Sequence, residues 1–172
     1  MSMPKPVWDR IVALDGASPS PTTPTAPVLT PAERQRLERD LEHWCEAHPE
    51  ALSRLLGYPV EVVRRQLYCG DEHQGVIDLL VRRTDRKFSF VVVELKADDV
   101  RRDAVAQTLG YIGWFRDEPR VREVQGAVIG LEVHSQVPFV LKTTADLVTV
   151  HHWADAGLPA DLEDRLKVAG SR

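Results

Sequence analysis

The sequence has no surplus of basic residues. Its 22 Lys and Arg stand against 26 Asp and Glu, a formal net charge of −4 at pH 7. This excludes a protein that holds phosphate by overall charge, but not one with a local positive surface. Only two cysteines are present, Cys45 and Cys69, too few for a disulfide framework, so a reducing, cytoplasmic compartment is expected. Long apolar runs are missing as well. The longest, 88–95, is far too short to cross a bilayer, and no membrane association is expected. The opening MSMPKPVWDR contains no apolar stretch of the kind a secretory signal needs. What is there is 43% hydrophobic and 28% charged over 172 residues, the balance of one soluble domain able to bury a core.

Prolines crowd one end: six of the twelve fall within 1–29. Between 17 and 27 the chain is almost all Ser, Thr, Pro and Ala, which cannot bury enough apolar surface to offset its ordering entropy. Residues 1–29 are therefore expected to be a flexible segment and 30–172 the folded domain. Within that segment, Val7, Trp8, Ile11, Val12 and Leu14 form a short apolar patch, a candidate contact for the domain or for a protein partner. Thr30-Pro31-Ala32-Glu33 then combines a capping box with a proline in the first helical turn. Leu37, Leu41, Trp44 and Cys45 follow with helical spacing, and Pro49 ends this helix or opens a short second one.

Three strands are predicted next, at 60–68, 76–82 and 87–96, joined by connections of hairpin length. Val91-Val92-Val93 is continuous rather than alternating, the pattern of a strand buried on both faces. A helix at 99–117 follows, then a strand at 124–132, a short helix at 138–144, a strand at 147–152 and a terminal helix at 160–168. The helix between strands three and four is a crossover that makes them parallel neighbours, while the first three strands form an antiparallel meander. The expected class is α/β, a mixed central sheet flanked by helices.

The chemistry concentrates on two strands. Glu94 and Lys96 lie two apart and project to one face, with Leu95 on the other. Asp78 stands on the neighbouring strand, within reach of Glu94 across the pair. Two carboxylates buried together repel and lose hydration, and a bound cation resolves both problems. Oxygen donors select hard ions such as Mg²⁺ or Mn²⁺, with the Leu95 carbonyl as a further ligand. Lys96 beside such an ion would orient water or stabilise charge on a phosphate. On the following helix Gln107 and Tyr111 are four apart and share a face, while Val105, Leu109 and Ile112 take the apolar side.

The ordered set Glu38-x-x-Leu41, Gly75-x-Ile77-Asp78, Glu94-x-Lys96 and Gln107-x-x-x-Tyr111 resembles the PD-(D/E)XK nuclease superfamily. Within it the chain is most similar to the catalytic domain of NucS-type, mismatch-specific endonucleases, over roughly 33–153. The resemblance implies a restriction-endonuclease-like αβββαβ core and hydrolysis of DNA phosphodiesters with Mg²⁺ or Mn²⁺. It implies Asp78 and Glu94 as metal ligands, Lys96 as the catalytic lysine, and Gln107 and Tyr111 as an accessory pair. It also implies an early-helix glutamate followed by Leu three later and Pro eleven later. Glu38, Leu41 and Pro49 fit, with Glu42, one turn along, as the rival. The Pro-rich stretch stands where those endonucleases carry a separate DNA-binding domain, and the connection into Asp78 is longer than theirs.

Each motif alone is ordinary: Glu-x-Lys is commonly a surface ion pair, and Trp114 commonly core packing. Cys45 and His48 with Cys69 and His73 have zinc-ligand types, but Cys45 falls on the apolar stripe with Leu41, where a thiol packs. It is the order that points to a nuclease. DNA is the expected substrate, with RNA not separated from it. A homodimer would serve to cut both strands of a duplex. The competing expectation is a non-enzymatic nucleic-acid-binding or assembly subunit that retains the nuclease fold. Arginine doublets at 64–65, 82–83 and 101–102 either share one face or lie scattered, and the sequence favours neither.

Overall fold

The computed structural model describes residues 29–70, 75–144 and 146–170. The Pro-rich segment up to residue 28, with its apolar patch, and His73 lie outside the described residues.

Helix α1 (Pro31–Ala47) starts as its capping signals dictate. The Thr30 hydroxyl accepts from the Glu33 N–H at 3.2 Å, and the Glu33 carboxylate accepts from the Thr30 N–H at 2.8 Å. Helix α2 (Pro49–Leu56) follows directly and ends on Gly57, whose φ of 79° lets the chain turn. Strands β1 (Val60–Tyr68), β2 (Val76–Arg83) and β3 (Ser89–Leu95) form the antiparallel meander. Helix α3 (Arg102–Arg116) crosses over to β4 (Glu123–Gly130), which lies parallel to β3. Helix α4 (Val137–Thr144) leads to β5 (Val148–His152), parallel to β4. A 3₁₀ turn, Trp153–Asp155, and helix α5 (Ala160–Gly170) complete the chain. The five strands run in the order β1-β2-β3-β4-β5.

The sheet separates two apolar layers. Leu37, Leu41 and Cys45 of α1 pack with Leu52, Leu166, Leu79, Val91 and Val93 on one face. Val105, Ile112 and Phe115 of α3 pack with Leu80, Val92 and Val128 on the other. Val91, Val92 and Val93 thus feed both layers, as their unbroken run predicts. Cys45 and Cys69 fall in different layers, so packing accounts for each thiol. Helix α3 lies very close to β4: a Cβ on Gly126 would stand 2.3 Å from Thr108 Cγ2.

Most boundaries shift by one or two residues from the sequence expectation, and two of the differences have a visible cause. Strand β3 begins at Ser89 rather than 87, because Phe88 takes a φ of 60° that is incompatible with strand pairing. Helix α3 begins at Arg102 rather than 99. Val100 is engaged in an isolated parallel bridge with Val133, and its N–H bonds the Glu132 carbonyl at 2.7 Å. Among the described residues no helix is long and apolar enough to cross a membrane.

Candidate active site

The chemistry-bearing residues gather where the start of β2 meets the end of β3. The last pair of residues in register between these strands is Leu79 with Val93, so Asp78 and Glu94 stand one step further along. Asp78 Oδ2 accepts from the Leu95 N–H at 2.8 Å, which ties the carboxylate to β3. Glu94 is 2% exposed, and its Oε1 accepts from Lys96 Nζ at 2.7 Å. Its Oε2 is buried without a partner. Beyond the strand, the Lys96 N–H bonds the Ile129 carbonyl at 2.8 Å, and the Lys96 carbonyl accepts from Trp153 Nε1 at 2.7 Å. The backbone carrying the lysine is therefore held from both sides.

Helix α1 supplies two acids. Glu38 Oε1 accepts from the Ala97 N–H at 3.1 Å, linking the helix to the end of β3. Arg34, one turn earlier, pairs with Asp98 and strengthens the same junction. Glu42 is 3% exposed; its Oε1 accepts from Gln66 Nε2 at 2.7 Å, and its Oε2 is buried and unpartnered. Glu38 and Glu42, rivals by sequence, thus both reach the cluster.

Helix α3 supplies the remaining pair. Gln107 Nε2 donates to the Tyr111 hydroxyl at 2.6 Å, and that hydroxyl donates to the Val76 carbonyl at 3.0 Å. Tyr111 is buried while Gln107 is exposed. Tyr111 occupies space that only a glycine leaves: a Cβ on Gly75 would lie 2.5 Å from its Cε1. Gly75→Ala is therefore expected to push Tyr111 off the Val76 carbonyl and to cost about 2 kcal/mol, the range for overpacking. In a Tyr111→Ala background the same substitution should cost almost nothing, and thermal melts of the four variants measure this coupling.

Electrostatics set the character of the cluster. Burial, reinforced by the Glu94 charge, pushes the Asp78 carboxyl up to about 8. Burial raises Glu94 above the usual carboxylate range in spite of the ammonium beside it, and Glu38 and Glu42 add to the rise. Glu38 and Glu42 are themselves raised, chiefly by burial. Burial works against the charge on Lys96, but Glu94, Glu38 and Asp78 together outweigh it and hold the lysine above its ordinary value. Lys96 thus faces three carboxyls, while Arg34 acts on Glu38 and Arg65 on Glu42. Among the described residues, no three His, Cys, Asp or Glu are already disposed to hold an ion. Lys96 occupies one Glu94 oxygen and Leu95 one Asp78 oxygen. The remaining oxygens of these two acids are of the type a hard divalent ion takes, and an unpartnered buried oxygen at Glu94 fits one.

The arginine doublets contribute unequally. Arg65 pairs with Glu46, Arg82 with Glu61, and Arg83 with Asp85 while lying over the Tyr58 ring. A cavity of about 620 Å³ at the β2–β3 turn is lined by these last arginines, but their acidic partners share it. Arg101 and Arg102 line a smaller cavity of about 240 Å³ with Asp103, His134 and Gln136. Trp114 packs partly into the α3 layer, its ring 6.1 Å from that of Phe115. Three features of the site had no signal in the motifs: Gln66 on Glu42, Trp153 on the Lys96 carbonyl, and the steric dependence of Tyr111 on Gly75.

No protein-family model matches the chain, and no curated protein does. Solved structures do. The fold is similar to the crystal structure of a repair endonuclease from Pyrococcus abyssi, with a TM-score of 0.53 and 16% identity, over 67% of this chain and 46% of that one. It is also similar to the structure of an EndoMS–dsDNA complex, with a TM-score of 0.53 and 19% identity, over 77% of this chain and 48% of that one. The chain therefore matches about half the length of each. The PD-(D/E)XK resemblance read from the motifs is borne out at the level of architecture: this α/β chain, with its five-stranded mixed sheet between helical layers, has the restriction-endonuclease-like fold.

Proposed function

We propose that this chain is a Mg²⁺- or Mn²⁺-dependent nuclease that hydrolyses phosphodiester bonds, a DNA endonuclease acting on structured, damaged or foreign DNA. One observation carries the reading. Among the described residues, the only buried side-chain oxygens without a hydrogen-bond partner belong to Glu42 and Glu94, in one cluster with Asp78 and Glu38. Each unsatisfied buried oxygen costs on the order of 1–3 kcal/mol, a cost relieved when a cation binds. Asp78, Glu94 and the Leu95 carbonyl are the groups that would hold the ion, which would supply Lewis acidity toward a phosphate oxygen and lower the pKa of a water.

The residues around these acids have separate tasks. Lys96, positively charged and anchored through its backbone by Ile129 and Trp153, orients the attacking water and offsets charge growing on the phosphate. Glu38 keeps one oxygen on the Ala97 N–H and offers the other to water at the site. Gln107, exposed and bonded to the anchored Tyr111, presents a polar group to a substrate phosphate. Arg101 and Arg102, with His134 and Gln136, are the candidate contacts for the DNA backbone. The two buried free thiols support a reducing, cytoplasmic setting. A homodimer would let two sites address the two strands of a duplex.

Cleavage assays on matched DNA and RNA test this reading, run as single strands, duplexes, mismatched duplexes and branched forms. DNA is expected to be cut with Mg²⁺ or Mn²⁺ and left intact after chelation. Failure to cut any form with either ion, together with no ion binding by calorimetry, would remove the proposal. A non-enzymatic nucleic-acid-binding or assembly subunit is the alternative, supported by the net acidity and by Lys96 already neutralising one oxygen of Glu94. It predicts DNA affinity unchanged by Asp78→Asn and no thermal stabilisation by Mg²⁺.

A further inference from the structure

One apolar patch of the sequence takes no part in the acid cluster. Val7, Trp8, Ile11, Val12 and Leu14 recur at the i, i+4 and i+7 spacing that places residues on one face of a helix, with Asp9 and Arg10 opposite. The patch lies outside the described residues, but the place where its chain joins the domain does not. Leu29 is the first residue described, and it packs against the α1 layer. The capping box at Thr30 then fixes the direction in which the chain meets α1.

Leu29 is also one wall of a groove. A cavity of about 220 Å³ lies between the start of α1 and the end of α5, lined by Leu29, Glu33, Arg36, Leu37, Arg165 and Val168. Leu37 is buried there, while Val168 is 39% exposed, a large apolar side chain left open to solvent. The rim is charged: Arg165 pairs with Asp40 at 2.7 Å, and Arg36 is exposed. The space is smaller than the roughly 300–1,000 Å³ of small-molecule sites and suits an anchoring side chain instead. Trp8, the largest apolar side chain of the patch, has the matching chemistry. It offers a broad ring to Leu29, Leu37 and Val168, and a π face to the guanidinium of Arg36 or Arg165.

We propose that residues 7–14 dock in this groove on their own domain, with Trp8 as the anchor between α1 and α5. The connection is long enough: residues 15–28 span about 40 Å when extended, ample for the chain to double back beside Leu29. Tethering also decides between this chain and a second copy. A tether of this length holds its end at an effective concentration on the order of millimolar, about a thousandfold above a free partner at micromolar concentration. The docked segment braces α1, the helix that carries Glu38 and Glu42, against α5. No residue lining the groove belongs to the acid cluster, so the docking is independent of the nuclease chemistry.

The test is disulfide trapping in the full chain. Ile11→Cys is combined with Val168→Cys in the groove, or with Phe139→Cys, 69% exposed on α4 in the opposite layer, as the control. The native Cys45 and Cys69 are buried and do not compete. At micromolar protein under mild oxidation, the 11–168 disulfide is expected to form within one chain about tenfold faster than the 11–139 disulfide. Adding Trp8→Asp should bring the two rates together. Trp8→Asp should also lower the Tm of the otherwise unaltered chain by about 2–4 °C and have no effect in a Val168→Asp background. Equal trapping of the two pairs, or an excess that survives Trp8→Asp, would overturn the proposal. So would disulfide-linked dimers as the main product, which would seat the segment on a second copy. A Tm that Trp8→Asp leaves unchanged, or lowers equally with and without Val168→Asp, would also overturn it.

Discussion

Glu94→Ala and Lys96→Ala are each expected to lower metal-dependent cleavage on the order of a thousandfold, the scale set by loss of a group that stabilises charge in a water-poor site. The two residues act as a unit through their 2.7 Å contact, so the double variant should fall little below either single one. Stability should move differently from activity. Glu94 is 2% exposed with one oxygen unpartnered, so its removal relieves desolvation as well as breaking an ion pair. Lys96 is 26% exposed at its side chain and can turn to water once Glu94 is gone. The expected outcome for Glu94→Ala is an inactive protein whose metal-free melting temperature is maintained or raised, whereas Lys96→Ala, which leaves the buried Glu94 without its cation, should melt lower. Substantial cleavage by either variant would show that this pair does not carry the chemistry.

Asp78→Asn is expected to stabilise the metal-free protein, and the gain should grow with pH. Burial and the neighbouring Glu94 charge raise the Asp78 carboxyl from an ordinary 3.8 to about 8. Below the ordinary value the group is neutral in both folded and unfolded chains and imposes no charge penalty. Between that value and about 8 the unfolded chain ionises while the folded chain resists, so wild-type stability falls as pH rises through this window. Asn keeps an oxygen for the Leu95 N–H and never ionises. Each pKa unit corresponds to about 1.4 kcal/mol. Because the repulsion is shared with Glu94, a gain of a few kcal/mol at pH 8 is expected. For a domain of this size that is a rise in Tm of roughly 5 °C or more. Melts from pH 5 to pH 9 should show the wild-type curve sloping down and the variant curve flatter. Mg²⁺ should raise the wild-type Tm and leave the variant nearly unchanged. A variant less stable than wild type at every pH would mean that Asp78 is a structural anchor rather than a held-back charge.

These expectations come from residues that the sequence exposes to very different degrees. Alternation alone puts Glu94 and Lys96 on one face, and a continuous valine run predicts a strand buried twice over; both are local properties of β3. The Thr30 cap is equally local. Glu38 and Glu42 are one turn apart on one face of α1, so periodicity cannot rank them; their different partners, Ala97 just past β3 and Gln66 in β1, lie far along the chain. The same holds for Trp153, which reaches the Lys96 carbonyl across 57 positions, and for Gly75, whose missing side chain is explained only by Tyr111. The start of α3 differs from the sequence expectation for a related reason: Val100 has helix-compatible neighbours, but Val133 captures it in a bridge. Order and spacing report local geometry, whereas contacts between layers become visible only when the layers are docked.

The site draws on both of those layers. Helix α1, with Glu38 and Glu42, covers one face of the sheet, and α3, with Gln107 and Tyr111, covers the other. Neither helix can detach, even transiently, without taking its side chains away from Asp78, Glu94 and Lys96. Partly opened forms, the first to appear under heat or during synthesis, therefore lack a complete set of these side chains. For a protein proposed to act on DNA, activity is then expected only from chains in which both helical layers have docked on the sheet.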